Sequence, residues 1–395
     1  MIFLLGSAFF VSVSVNYVIS PVLPVIARTF SISISAAGSL VAIYSICYAF
    51  SALALGPTSD YFGRKPMIVS ALVVFAGMTI LCGLVRGFVL LVVCRALAGV
   101  AAAAMQPATW SYLGDFFPYE KRGKAAGWVM QAGSLALIAG VPLGGIVAQF
   151  VGWRWIFIGA GLLGITVASV LVVRLPSLSR GRGVDRGRRD WNGVIRVGRE
   201  AFTSLVSNRR ARAALLVSFF IWFAFFGLYT YMGAFLEDRL DLETARVGLV
   251  TLTVGLGYVL GGQLGGRLSD RIGRKNVVLT GLVWLAIVLA AVPQVRALPV
   301  AVAGILAMGF GFFFTYSAQV TLITELLPEA RGTTMSVNYF VTYVGVTAGS
   351  AIGGFVLARS GYALVGAVSG VACLVAAFIA SRFVFVDGVC EDHAD

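Results

Sequence analysis

The sequence predicts an all-α integral membrane protein in which twelve membrane-crossing helices form two homologous bundles of six. Three observations predict it. Of 395 residues 59% are hydrophobic and 12% charged, more apolar surface than a water-soluble core hides, whereas a bilayer absorbs it one ~20-residue helix at a time. The apolar residues gather into twelve long, nearly uncharged runs. The chain also repeats itself: Gly56-Pro-Thr-Ser-Asp60-Tyr-Phe-Gly63-Arg64-Lys65 returns 210 positions later as Gly266-Arg-Leu-Ser-Asp270-Arg-Ile-Gly273-Arg274-Lys275.

The runs follow in order. The first, residues 2–27, stops at Arg28, and the second, 36–58, leads into the first charged cassette. Residues 66–85 run from that cassette to Arg86, 88–112 precede Asp115 and Pro118, 125–149 follow Lys124, and 153–174 end at Arg174. The second half repeats the series at 213–236, 246–266, 276–294, 298–323, 334–358 and 361–386. Each is about one bilayer crossing long, and such unbroken runs exclude the short alternating strands of a β-barrel. Asp115 and Pro118 are echoed by Glu325 and Pro328 at the same offset. After the loss of one residue, Arg122-Gly123, Gly140, Gly144-Gly145 and Gly152 are echoed by Arg331-Gly332, Gly349, Gly353-Gly354 and Gly361. A single slip kept in register marks a duplicated half-protein.

The basic residues orient the spans. Arg28, Arg86, Arg154, Arg239, Arg246, Arg296 and Arg359 occupy connections on one side; with Arg95 inside a span, the other 22 of 30 Lys and Arg lie opposite. The richer side is expected to be cytoplasmic, with both termini on it, in the cell membrane. No Lys or Arg precedes Arg28 to serve as the basic region of a cleaved signal peptide, so none is expected. The net charge of +13 is read as positive-inside topology and contact with anionic lipid rather than nucleic-acid binding. The expected division is an N-terminal bundle 1–176, a basic linker 177–212, a C-terminal bundle 213–386 and an acidic tail 387–395. Within the linker, Val194, Ile195, Ala201, Phe202, Leu205 and Val206 form a helical stripe opposite Arg196, Arg199 and Glu200, as for a helix lying on the membrane surface.

Enzyme chemistry finds little footing. The one histidine, His393, stands in the acidic tail, so neither a His metal site nor a Ser-His-Asp set assembles, and no cofactor or metal is expected. Cys47, Cys82, Cys94 and Cys373 lie in predicted spans, and five thiols imply no disulfide frame.

The cassette between spans 2 and 3, repeated between 8 and 9, resembles the signature loop of the major facilitator superfamily, and the layout is similar over the whole chain. Leu91-x-x-x-Arg95-x-x-Ala98-Gly99 resembles the span 4 motif of that superfamily. Gly140-Val-Pro142-Leu-Gly144-Gly145, followed by Gly152-Trp153-Arg154, resembles the span 5 motif of its twelve-span drug/proton antiporter branch, although Val141 separates the first Gly from the Pro. The resemblance implies a monomeric carrier of small molecules, with H⁺ as coupling ion, that works by rocking two bundles about a midplane site. It also implies that the cassettes latch the outward-facing state. Asp60 at a helix end is placed to accept hydrogen bonds from the start of span 11 near Gly332, and Arg64 to reach Asp115; in the second copy Asp270 faces the start of span 5 and Arg274 faces Glu325.

Small residues recur every fourth position at Ala132, Ala136, Gly140 and Gly144, at Gly257, Gly261 and Gly265, and at Gly345, Gly349 and Gly353. These stripes are packing surfaces; the resemblance places them on the seam between halves. Arg95 is the one charge well inside a span, and such a charge needs a reason. Either it faces a central cavity, or it tethers backbone carbonyls of a neighbouring helix. Gln106, eleven residues on, shares its helix face roughly 16 Å away. Asn16, Tyr17, Tyr44, Gln131, Trp222, Tyr229, Tyr258, Gln319, Asn338 and Tyr339 complete the candidates for substrate or proton contact. Span 1, where antiporters of the branch often carry an acid, reads Asn16-Tyr-Val-Ile-Ser-Pro21-Val-Leu-Pro24 without one. All 17 carboxylates fall in loops, tails or span ends, which favours neutral or anionic amphiphiles as cargo and leaves Asp115, Glu325 or Glu237 to carry a proton. Three functions remain: a proton-driven exporter of drug-like or metabolite molecules, a carrier for a sugar or other nutrient, and a membrane sensor or scaffold. The span 5 motif favours the first.

Overall fold

The computed structural model describes residues 2–55, 62–176, 207–326 and 331–384. Gly56, Asp60, the expected surface helix of the linker and the acidic tail lie outside them. Span 1 is Ile2–Tyr17 and Ile19–Phe30, bent by 49°. Span 2 is Ile34–Leu55, span 3 Arg64–Leu84, span 4 Phe88–Phe116 and span 6 Trp153–Arg174. Span 5 joins Tyr119–Leu135 and Val141–Phe150 through a π turn, Ala136–Gly140. Span 7 is Arg209–Tyr229 and Met232–Leu240, followed by span 8, Thr244–Ile272, span 9, Arg274–Ala291, and span 10, Leu298–Leu326. Arg331–Ile379 is one run of 49 helical residues, about 74 Å if straight, more than twice a bilayer core. It breaks at Gly361, with φ 77° and ψ −179°, into spans 11 and 12, so that the described residues hold twelve helices or bent helix pairs long and apolar enough to cross a membrane.

Positive φ marks the repeat in the backbone as well. Gly63 (φ 96°) and Gly273 (φ 82°) open spans 3 and 9, and Gly152 (φ 112°) and Gly361 open spans 6 and 12. A side chain at these positions is strained, so the cassette glycines are required by the turns. Span 7 starts four residues before its apolar run because the Asn208 side chain accepts the backbone N–H groups of Arg210 (2.9 Å) and Ala211 (3.2 Å), an N-cap.

Three helix breaks have visible causes. Pro21 has no N–H for the Tyr17 carbonyl, and span 1 bends there; the freed carbonyl accepts the Tyr229 hydroxyl of span 7 at 3.1 Å. Span 7 breaks just after Tyr229, whose own carbonyl accepts the Ser20 hydroxyl at 2.5 Å. In span 5, Pro142 leaves Ile138 without its donor, and the ladder shifts to a π turn in which Val141 N–H reaches the Ala136 carbonyl. The Val inserted between Gly140 and Pro142 thus lies at the junction of that turn with the next helix.

The halves meet through spans 2 and 11 and through spans 5 and 8, with spans 1 and 7 between. The small-residue stripes, however, lie inside the halves. Ala132, Gly140 and Gly144 pack on Gly6, Ser14 and Val18 of span 1; Gly257, Gly261 and Gly265 pack on span 10 around Phe310 and Phe314; Gly345, Gly349 and Gly353 pack on Phe219, Phe223 and Gly227 of span 7. The seam uses other glycines. Gly145 meets Gly248, and Gly255 meets Leu137 and Ile138. One helix face can approach only one neighbour closely, and intra-half packing takes the regular stripe.

Candidate transport cavity

One face of the molecule carries the cassettes, and at the opposite end of the seam and at its centre polar contacts join the halves. Arg28 of span 1 pairs with Glu237 of span 7, and the Gln149 amide of span 5 donates to Glu243 at 2.8 Å while its carbonyl accepts Ala245 N–H at 2.8 Å. Ser35 donates to the Gly354 carbonyl at 2.6 Å. Deeper, the Ser20 and Tyr229 bonds join the two broken helices, and the Tyr17 and Tyr258 hydroxyls meet at 3.0 Å.

Behind this seal, a cavity of about 140 Å³ lies between the halves, lined by residues of both. It extends from Tyr17 and Tyr258 toward Phe9, Trp110 and Met130 near the cassette face. Its wall is aromatic: Trp222, Phe226, Phe313, Tyr316, Tyr339 and Tyr343 complete the rings, and the remaining polar groups are Asn16, Gln106, Ser134 and Thr342. Among the described residues no charged one lines it. Spacing on the helices explains the assembly, because Gln106 and Trp110, Trp222 and Phe226, and Tyr339 and Tyr343 are each four residues apart on one face.

Of the sequence candidates, Asn16, Tyr17, Gln106, Trp222, Tyr258 and Tyr339 line this cavity. Arg95 does not. It is fully buried one layer behind, between spans 1, 2 and 4; its guanidinium donates to Asn16 Oδ1 at 3.2 Å and to the Leu40 carbonyl at 3.4 Å, and its centre lies 4.4 Å from the Tyr44 ring. Tethering and cavity roles are therefore linked, since Arg95 holds a carbonyl with one nitrogen and a wall residue with another. Among the described residues no carboxylate pairs with it, and the Tyr44 face and amide oxygen partly compensate its charge. Gln106 is fixed similarly, accepting the Tyr48 hydroxyl at 2.9 Å. Tyr44 belongs to the Arg95 shell and Tyr229 to the seal. Gln319 donates to the Ala214 carbonyl within the second half at 2.7 Å, Asn338 is buried in that half, and Gln131 is exposed, away from the cavity. Trp110, Tyr316 and Tyr343 were not singled out from sequence. Two of them sit one turn after Gln106 and Tyr339, the signal that would have found them.

At the cassette face, Arg64 Nε donates to Asp115 Oδ2 at 3.0 Å, and Arg274 pairs with Glu325. Both pairs lie within a half, joining the start of span 3 to the end of span 4 and the start of span 9 to the end of span 10. Lys65 and Lys275 follow in the same helical turns, Gly266 lies in the last part of span 8, and Asp270 is exposed at its end. The partners expected for Asp60 and Asp270 include side chains outside the described set. Among the described residues no cluster of His, Cys, Asp or Glu could hold a metal ion.

A family profile described as Major Facilitator Superfamily matches residues 5–248 and 241–392. The chain is 30% identical over 391 residues to the uncharacterized MFS-type transporter YwfA of Bacillus subtilis (strain 168), covering 98% of this chain and 92% of that one. It is 25% identical over 349 residues to Multidrug resistance protein 3 of the same organism, covering 76% and 68%. Among solved structures, it resembles a bacterial homolog of the human lysosomal transporter Spinster in an inward-facing, occupied conformation, with TM-score 0.78, 20% identity and coverage of 97% and 96%. A D-xylose–proton symporter matches with TM-score 0.76, 18% identity and 97% coverage of both chains.

Proposed function

The chain belongs to the Major Facilitator Superfamily, and from that premise we propose that it is a proton-coupled exporter of uncharged, drug-like or metabolite molecules. The family is one of multi-pass membrane transporters that carry small molecules, not of enzymes. The observation that carries the finer reading is the cavity. It lies on the seam, has ten aromatic residues and no charge among its lining, and so fits an apolar cargo with few polar groups. Similarity to proteins named for multidrug transport supports the same reading, as does the Gly140–Gly145 motif.

With the cassette face assigned to the cytoplasm of a cell membrane, the described state opens inward. Cargo enters from the cytoplasm or inner leaflet, the opposite seal parts, and the cassette face closes. A drug-sized ligand of ~300 Å³ or more must spread the 140 Å³ cavity, so binding and rocking are coupled by the halves separating around the cargo. The cassette pairs Arg64–Asp115 and Arg274–Glu325 brace each half so that it moves as a body. The proton, absent a carboxylate on the cavity wall, is carried at a span end. Glu237 is the leading candidate because its pairing with Arg28 crosses the seam.

The test is efflux of Nile red, a neutral dye, from energised cells lacking their own broad-range exporters. Cells expressing the protein are expected to retain less dye than vector controls, and a protonophore to abolish the difference. Equal retention, or export indifferent to the protonophore, refutes the reading.

A further inference from the structure

The seam between the halves is closed along one flank and parts along the other. Spans 2 and 11 stay together almost to the end of span 2 at Leu55. Ser35 donates to the Gly354 carbonyl at 2.6 Å, the Thr347 hydroxyl lies 3.4 Å from the Ala42 carbonyl oxygen, Tyr48 stacks on Tyr343 at 3.7 Å between centroids, and Phe50 meets Phe340 edge-on at 5.6 Å. Spans 5 and 8 begin equally close. Gly145 meets Gly248, and two turns along each helix a Cβ on Gly255 would lie 3.0 Å from the Ile138 nitrogen. Two turns further, Gln131 and Gly262 come onto the same line, and there the contact ends. Gln131 is exposed, and a Cβ on Gly262 would meet the Phe313 ring of its own half. One more turn on, a Cβ on Gly127 or Gly266 would meet nothing within 4 Å. Span 8 accordingly packs along Val141–Phe150 and the π turn and touches Tyr119–Leu135 little.

This gap leads into the cavity. Met130 of span 5 lines the cavity and is at the same time 50% exposed, and Ser134 one turn on and Phe313 beside Gly262 line it too. Both rims lie between the middle of the membrane stretch and the cassette face, since span 5 is apolar over Ala125–Phe150 and span 8 runs from Thr244 to Ile272. Trp128 and Leu135 of span 5 and Leu260 and Leu264 of span 8 are exposed on the same helices. A gap at that depth borders acyl chains rather than water, because the hydrocarbon core is about 30 Å thick.

We propose that the gap between spans 5 and 8 is a side window through which uncharged cargo dissolved in the cassette-side leaflet passes into the cavity. This deepens the exporter reading of the same cavity and rests on it for the cargo, while the window itself is separable from transport. Apolar molecules are concentrated in the bilayer, and the window lets them reach an aromatic wall without returning to water. A charged solute is excluded by the route as well as by the wall, since the acyl layer does not take up an unpaired charge. Met130, unbranched and adaptable, suits a rim that passes molecules of varied shape.

The test is contact quenching by lipid. Full-length protein without its five native cysteines carries bimane on Ser134→Cys, beside the window, or on Tyr339→Cys, on the cavity wall of span 11. Each is placed in nanodiscs of dioleoyl phosphatidylcholine and of the same lipid brominated across its double bonds, so that only a fluorophore touched by acyl chains is quenched. Bimane at 134 is expected to lose most of its fluorescence in the brominated discs, and bimane at 339 to keep most of it. Adding Gln131→Phe, which fills the gap outside the cavity, is expected to restore the signal at 134. Should Ser134→Cys fail to fold, Met130→Cys reports on the same rim. Equal quenching at 134 and 339, or quenching at 134 that Gln131→Phe leaves unchanged, overturns the proposal. Protonophore-sensitive dye export without quenching at 134 removes this inference alone; the expected quenching in a protein that exports no dye removes the transport reading instead.

Discussion

Gly145 and Gly248 let spans 5 and 8 touch backbone to backbone across the seam, and adding one methyl group there should open it. A Cβ on Gly145 would lie 2.9 Å from Gly248 Cα and 2.9 Å from the Thr244 carbonyl oxygen; one on Gly248 would lie 3.1 Å from Gly145 Cα and 3.3 Å from Pro142 Cα. Ordinary contact begins near 3.4 Å, and backbone atoms cannot swing away, so the spans must separate by about half an ångström. Overpacking of this kind costs about 1–3 kcal/mol. In Gly145→Ala the cost falls on the sealed state and is relieved when the halves part, so the equilibrium shifts about 5- to 150-fold toward opening on that face. The assay is labelling by a membrane-impermeant maleimide at Met232→Cys, a fully buried position beside Gly233, which meets Ser20 across the seam, in a background without the five native cysteines. Labelling from the non-cassette side should rise with Gly145→Ala. The control is Gly257→Ala, whose Cβ would strike Phe310 N at 2.5 Å within the second half; it should lower thermal stability without raising labelling. Unchanged labelling in well-folded Gly145→Ala, or equal labelling in both variants, would refute the argument.

Other expectations follow from the same geometry. Tyr229→Phe deprives the carbonyl freed by Pro21 of its donor and should weaken the sealed state by about 1–3 kcal/mol, again read as increased Met232→Cys labelling; a fall in labelling would count against the helix-to-helix bond as part of the seal. Arg95→Lys keeps the charge but loses the planar group that meets Tyr44 and Asn16, so Nile red export should drop at least about tenfold while membrane expression is kept. Normal export would show that Asn16 needs no support from behind. Arg64→Gln and Arg274→Gln remove partly exposed pairs worth about 0–1 kcal/mol; melting temperatures should barely move while export slows, and unimpaired export by the double variant would dissociate the cassettes from rocking.

The twelve spans were legible because the bilayer imposes one length and one polarity on each, and the repeat tied the halves to a common plan. Which faces meet was not. Gly140, Gly257 and Gly349 announce close packing by their spacing, but spacing does not name the partner, and the partner lies in the same half each time. Gly145 and Gly248, which do close the seam, belong to no long stripe. The cavity was half legible: polar or aromatic residues such as Asn16, Gln106, Trp222 and Tyr258 stood out from the apolar runs. Trp110 and Tyr343 did not, since interfacial or lipid-facing aromatics share their composition. Arg95 stood out for its charge, which reveals burial in the bilayer but not whether it lies on the wall or behind it.

Ser31 and Asp241 both end their helices at φ 52°, an offset of 210 that makes Asp238 the counterpart of Arg28. Arg28 bonds Glu237, the neighbour of its own counterpart. A chain assembled from two copies of the first half would therefore crowd two guanidinium groups at this mouth, and two copies of the second half would crowd carboxylates. Only unlike halves can close there, so the asymmetry acquired between the copies gives this mouth a lock and a key.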